Sequence, residues 1–345
     1  MIKIMLICNG KFTKKNPFNR AFLHGRKGLC MSYKEFIENL QKEIESRIGE
    51  ATILFHKVTK NNGVTKDCFL IRENDYDVSP SGYLEYYYHA FRDGATIPEL
   101  AEKVQHIYQE CRNNASLDAG HFLEFDNIKN EIFCKIIGRG RNEKLLAEVP
   151  YIPYLDLAVV FYYVLENEMF GSGSILIRQE HLDFWEVTKE ELWEYARENT
   201  REKQPMHVYK MSELIREMLP EGEKLDFLKE EIPMYVMTNE KRCLGACGIL
   251  YDHILQEAAR LLEGSFYVLP SSVHECILVP EEAAPEAAEL LSMVREINLT
   301  QVPLEEVLSD QVYHYDAKMH HLTMAFPHLL LKNLHFALLF EKNML

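Results

Sequence analysis

Polar and apolar positions along this chain follow two periods, and the helical one is clearest after Ser32. Glu35 stands three residues further on, an arrangement in which each side chain satisfies a free amide at a helix start. Tyr33, Phe36, Ile37, Leu40, Ile44 and Ile48 then form one stripe, with Lys34, Glu38, Lys42 and Glu45 opposite, which predicts an amphipathic docking helix. Thr96 and Glu99 repeat the start signal, with Pro98 in the first turn and Ile97, Leu100, Ala101, Val104, Ile107, Tyr108 and Cys111 on one face. Thr188 and Glu191 repeat it again, ahead of Leu192, Trp193 and Ala196.

Residues 51–60 and 64–72 flank Asn61-Asn62-Gly63 and read as a hairpin, because Asn and Gly tolerate the positive φ of a tight turn. Residues 83–91 lean to helix, and 122–137 is expected to continue helically. Residues 155–165 form a nearly unbroken apolar run, too short for a bilayer span and suited to a buried element. Gly171-Ser172-Gly173 is expected to separate that run from a short strand at 174–178. Residues 198–205, polar and ending in Pro205, read as a linker. Beyond it the pattern predicts helices over 211–219, 245–262 and 285–297, and strands over 234–238, 266–269, 275–279 and 312–315.

The expected fold class is therefore α+β, with mixed helices and mostly antiparallel sheets in one large or two packed domains. The expected organisation is a basic extension over 1–30, an N-terminal α+β domain over 31–200, a C-terminal α+β domain over 206–318 and an apolar extension over 319–345. The first segment reads either as a flexible basic arm or as untranslated sequence ahead of a start at Met31. In the last, Pro327, His328, Lys332, Asn333 and His335 interrupt the apolar run over 322–340, which favours a packed amphipathic helix or a sticky extension over membrane insertion.

Charge narrows the partners. The net charge is −15, and the first thirty residues hold seven Lys or Arg and no acid, so the remainder sets 31 bases against 53 acids. A field of that sign repels a phosphate backbone, and nucleic acid is not an expected partner. The eight cysteines are scattered among apolar neighbours without short paired spacings, as small core hydrophobes in a reducing, cytoplasmic compartment would be. The apolar start at 1–8 contains Lys3 and no small-residue cleavage site, which is a poor secretory signal.

Candidate chemistry is sparse. Ser271, Ser272, His274 and Glu275 gather hydroxyls, an imidazole and a carboxylate between two predicted strands, and a hydrolase or transferase would use them with Asp156 or Asp310 brought near by folding. No Gly-x-Ser-x-Gly turn is present, and a polar hairpin turn satisfying its own backbone is the ordinary explanation. Cys243 and Cys247, with His253 or His274, lack the two-residue gap of a zinc site, and no metal or cofactor is expected. Gly138-Arg139-Gly140-Arg141 lacks the Lys-Ser/Thr ending of a phosphate loop, though Arg139 and Arg141 are candidate donors to a single anion. Asn239, Lys241 and Arg242 follow a predicted strand and are further ligand candidates. His181, Trp185 and Trp193 share a face if one helix extends that far, and there core packing outweighs an aromatic cage.

Several strings carry a family resemblance: Val58 to Gly63, Leu155 to Val160, Glu180-His181-Leu182, Pro233 to Asn239, Pro270 to Glu275 and Val307 to Asp310. With them the chain, over roughly 31–316, resembles domain-of-unknown-function family 5688 of gut Firmicutes such as Lachnospiraceae. The resemblance implies a bacterial, cytosolic protein and supplies no activity. The leading expectation is a noncatalytic binding or regulatory protein with an unknown protein or small-molecule partner and no membrane span. The hydrolase reading at 271–275 is its competitor, and a membrane-surface role for the two extensions ranks last.

Overall fold

The computed structural model describes residues 4–9, 31–73, 78–113, 119–167, 171–218 and 233–326. In chain order the first elements are β1 (Ile4–Asn9), α1 (Tyr33–Glu45), β2 (Thr52–Thr59), β3 (Thr65–Arg72), β4 (Val78–Tyr83) and α2 (Leu84–Arg92). Next come α3 (Ile97–Asn113), α4 (Ala119–Leu123), α5 (Phe125–Ile128), β5 (Ile132–Gly138), α6 (Glu143–Leu146), β6 (Tyr151–Tyr154) and β7 (Leu157–Asn167). They are followed by β8 (Gly171–Leu176), α7 (Gln179–Trp185), α8 (Lys189–Lys203), β9 (Met206–Lys210), α9 (Met211–Met218) and β10 (Tyr235–Asn239). The last are α10 (Asp252–Leu261), β11 (Phe266–Leu269), β12 (Cys276–Pro280), α11 (Ala287–Thr300), β13 (Tyr313–Asp316) and β14 (His321–Met324).

The fold is α+β, as the patterning predicts. One sheet runs β2-β3-β4-β1-β8-β7-β5 with β6 on β7, and the other runs β14-β13-β11-β12-β10-β9. β1 lies parallel to β4 and antiparallel to β8. The three capping boxes form as their sequences require: Oε2 of Glu35, Glu99 and Glu191 accepts the backbone N–H of Ser32, Thr96 and Thr188 at 2.9, 2.7 and 2.9 Å. The hairpin pairs Thr59 with Thr65, and Asn62 takes φ 58° in its turn.

Four expectations are corrected. The helical reading of 122–137 stops at Ile128, and 132–138 is strand β5, in which every residue but Lys135 is buried. A strand covered on both faces shows no alternation, so its apolar run cannot be told from a helix by period. Gly171 and Gly173 do not punctuate a loop but lie within β8, where Gly173 pairs with Leu165 on one side and Cys8 on the other. Residues 198–203 are the last turns of α8 rather than a linker, because Asn199 and Thr200 are buried and the Thr200 hydroxyl accepts the Cys134 N–H at 3.0 Å. The apolar run expected as one element from 322 starts as strand β14, paired with β13, while 327–345 and most of 1–30 lie outside the described residues.

The chain groups into two compact units: one takes the chain up to Phe133 with 148–150 and 161–196, the other takes 134–147, 151–160 and the chain from Arg197. In the first, Phe36, Leu40 and Ile44 of α1 pack with Leu100, Ala101 and Val104 of α3, and with Ile53, Phe69 and Ile71 of the hairpin. In the second, Leu290, Leu291 and Val294 of α11 pack on Leu269, Val279 and Val312. Among the described residues no helix is long and apolar enough to cross a membrane.

His181, a candidate for an aromatic cage, is instead only 4% exposed against Phe122 and Trp185, with ring centroids 5.2 and 5.5 Å away. Its Nδ1 accepts the Arg178 N–H, the Trp185 indole donates to the Phe122 carbonyl, and Trp193 packs separately on Phe161. Burial first, then the Arg178 charge, lowers the His181 pKa from 6.5 to about 4. The unfolded chain therefore binds this proton before the folded one does, so stability is complete above pH 6.5 and is lost as pH falls towards 4. Urea unfolding of His181→Gln against the native chain should show this: the native protein loses roughly 2–3 kcal/mol more than the variant between neutral pH and about pH 4.5.

Candidate functional site

The polar string at 270–275 lies in the second unit and is built from backbone outward. β10 and β12 pair antiparallel with Met237 opposite Cys276, which carries the residue after Met237 to the residues before Cys276. There the His274 carbonyl accepts the Thr238 hydroxyl at 2.8 Å and the Gly245 N–H at 2.9 Å. A Cβ on Gly245 would sit 2.5 Å from Thr238 Oγ1, 2.6 Å from the Asn239 nitrogen and 2.8 Å from the His274 oxygen, so only glycine fits.

Between β10 and this glycine the chain makes a sharp turn. Asn239 is 2% exposed and clamps it: its Nδ2 donates to the Cys243 carbonyl at 2.8 Å and its Oδ1 accepts the Cys243 N–H at 3.1 Å. Arg242 and Leu244, either side of Cys243, hold φ of 50° and 58°, a conformation that costs a side-chain-bearing residue free energy. Expected as one helix from Gly245 to Leu262, the next segment is a 3-10 turn over Gly245–Leu250 followed by α10.

The imidazole of His274 faces this turn. Its Nδ1 accepts the Leu244 N–H at 3.1 Å, its Nε2 lies 3.7 Å from Glu306 Oε1, and its side chain shares a hydrogen bond with Cys243. That hydrogen bond, then the charges of Cys243, Glu306 and Glu275, raises the His274 pKa above its ordinary value against the opposing effect of burial. Glu306 was no candidate from the sequence. It arrives because the Val273 N–H donates to the Glu306 carbonyl at 2.8 Å and Ser272 bridges to Val307.

The serine candidates are placed otherwise. The Ser272 hydroxyl donates to Glu275 Oε1 at 2.7 Å and accepts the His274 backbone N–H at 3.0 Å, a local turn that satisfies itself. The Ser271 N–H donates to the Leu269 carbonyl. Asp156 accepts the hydroxyls of Ser309 and Tyr313 at 2.6 and 2.7 Å, and Asp310 pairs with Arg141 and with Asn298. The Ser272 hydroxyl is thus engaged by Glu275 and the His274 backbone N–H rather than by the His274 ring, which is not the serine-to-imidazole bond of a hydrolase.

The remaining candidates are dispersed. Arg141 is held by Asp310 while Arg139 is exposed, Arg242 pairs with Glu217 at 2.9 Å, and Lys241 is exposed. Cys247 is buried and its thiol donates to the Leu244 carbonyl at 3.1 Å, while the exposed His253 stacks edge-on to Tyr251. Among the described residues no three His, Cys, Asp or Glu side chains gather as metal ligands would.

A cleft of about 630 Å³ opens elsewhere in this unit, lined by Tyr154, Asp252, Leu255, His320, Leu322 and Met324 among others. Tyr154 donates its hydroxyl to the Ile249 carbonyl at 3.0 Å, and the Tyr315 hydroxyl meets His320 Nδ1 at 3.3 Å. Burial first, then the Asp252 charge, pushes the Tyr154 phenol up to about 12 and moves Tyr315 the same way. Of the two, Tyr154 lines the cleft beside the Asp252 carboxylate, which places a negative field on its ring.

The model of a family of unknown function, DUF5688, matches residues 33–317, and the chain belongs to that family. No curated protein and no solved structure matches it.

Replacing Gly245 by Ala should lower stability by about 1–3 kcal/mol in urea titrations, because the backbone around it cannot retreat. Gly140→Ala, which meets nothing within 4 Å, should leave the midpoint unchanged.

Proposed function

We propose that the chain is a noncatalytic, cytosolic bacterial binding protein, of the gut Firmicutes type its sequence resembles. Its ligand is a small molecule with a positive charge on an apolar body, held in the cleft beside α10. The observation that carries this reading is that Asp252 and Tyr154 line one cavity of about 630 Å³, a volume within the usual range for small-molecule sites, where the carboxylate acts on the phenol. Leu255, Leu322 and Met324 offer apolar contact, and the field that resists a tyrosinate favours a cation near the ring. The Ser272 hydroxyl donates to Glu275 rather than to the His274 ring, which supports a role in binding over hydrolysis, since a nucleophile needs its base within hydrogen-bond reach.

Three probes of one shape separate charge from shape: phenethylamine, phenethyl alcohol and phenylpropionate, titrated calorimetrically into the full chain. The amine should bind most tightly, and Asp252→Asn should weaken it about tenfold while leaving the alcohol unaffected. Equal binding of all three, or none, would refute the reading.

A further inference from the structure

The six described cysteines form no disulfide, and of them Cys111 and Cys243 are partly exposed. Burial holds the Cys68 thiol up at about 11 and raises Cys276 further, while Cys247 is raised first by its hydrogen bond with Cys134. Cys134 moves the other way through that same bond, yet it is fully enclosed with Thr200 and Tyr251. An enclosed thiol meets no reagent whatever its acidity. Cys243 is different, being partly exposed and hydrogen-bonded to an imidazole that has a carboxylate on its far side.

We propose that Cys243 is a nucleophilic thiol, with His274 as its base and Glu306 supporting the imidazolium, and that it captures low-molecular-weight disulfides as mixed disulfides. The next residue, Leu244, donates its N–H to His274 Nδ1 at 3.1 Å, and Glu306 Oε1 lies 3.7 Å from Nε2, so the ring stands at the Cys243 turn with the carboxylate on its other nitrogen. Cys243 stands on a sharp strand-to-helix turn between two left-handed residues, the backbone setting in which nucleophiles are often presented. Asn239 holds both its backbone N–H and its carbonyl, which fixes the residue's backbone on the turn. The acids acting on that ring are Glu306 from the segment before Val307 and Glu275 from the turn before β12.

The step balances without any further redox partner. The thiol gives its proton to His274, and the Cys243 thiolate attacks one sulfur of the small disulfide. A new S–S bond forms as the old one breaks, and the leaving thiolate takes the proton back from the imidazolium. With Nε2 turned to Glu306, the nitrogen left to take the proton is Nδ1, whose lone pair otherwise holds the Leu244 N–H. Ionisation of Cys243 therefore releases that amide one residue away, free to turn towards the anionic sulfur.

Reaction of the full chain with a dipyridyl disulfide, followed by absorbance of the released thione and by peptide mass spectrometry, tests the assignment. Cys111, partly exposed as well, is the internal control and needs no variant. At about pH 6 Cys243 should react at least tenfold faster than Cys111, and His274→Gln should remove most of that advantage at about pH 6 but little at about pH 9. Glu306→Gln should produce the same pattern to a smaller degree. Equal rates at the two cysteines, or a His274→Gln rate unchanged at about pH 6, would overturn the proposal. If His274→Gln does not fold, the ratio of the two native thiols still decides.

Discussion

The His274 carbonyl accepts two hydrogen bonds, from the Thr238 hydroxyl and the Gly245 amide, and the second unit's polar architecture is arranged around it. A buried carbonyl left unpaired costs roughly 1–3 kcal/mol, so the strand end, the glycine and the turn before β12 are held to one another. The absence of a side chain at 245 lets the backbones approach this closely. Once they have, the positions of Asn239, Cys243 and the imidazole follow, because each is tied to this junction by a bond of about 3 Å.

Most polar groups that looked chemically suggestive are spent in this way on folding. Ser272 and Glu275 close their own turn, Asp156 satisfies Ser309 and the fully buried Tyr313, and Arg141 neutralises Asp310. Buried polar atoms need partners, and an acidic chain with 53 carboxylate side chains supplies many of them. Asp252 and Cys243 stand apart from that pattern. The first places its charge against an aromatic ring at a cleft, and the second meets a base at a partly exposed turn.

The helices that begin at Ser32, Thr96 and Thr188 were legible because a capping box involves only four consecutive residues and a free amide. The hairpin at Asn61 to Gly63 was legible for the same reason, its turn being local. β5 was not, since burial on both faces erases alternation, and β8 was not, since its glycines signal a break unless strands flank them on both sides. At the site, residues 271–275 stood out as a polar string, and Ser272 satisfies its own turn as such strings ordinarily do, whereas the histidine ring turns to a cysteine 31 positions earlier, which no local window shows.

By itself the sequence determined the α+β class, the helix starts, the hairpin and the sign of the charge, all of which depend on periods and contacts within a few residues. Only the tertiary structure decided which cysteine faces a base, that Glu306 completes the group, and that Asp252 shares a cleft with Tyr154. The register of β10 against β12 and the bridge from Ser272 to Val307 bring these side chains together. Such pairings are chosen by burial and hydrogen bonding over the whole chain, and no short window of sequence contains the alternatives they exclude.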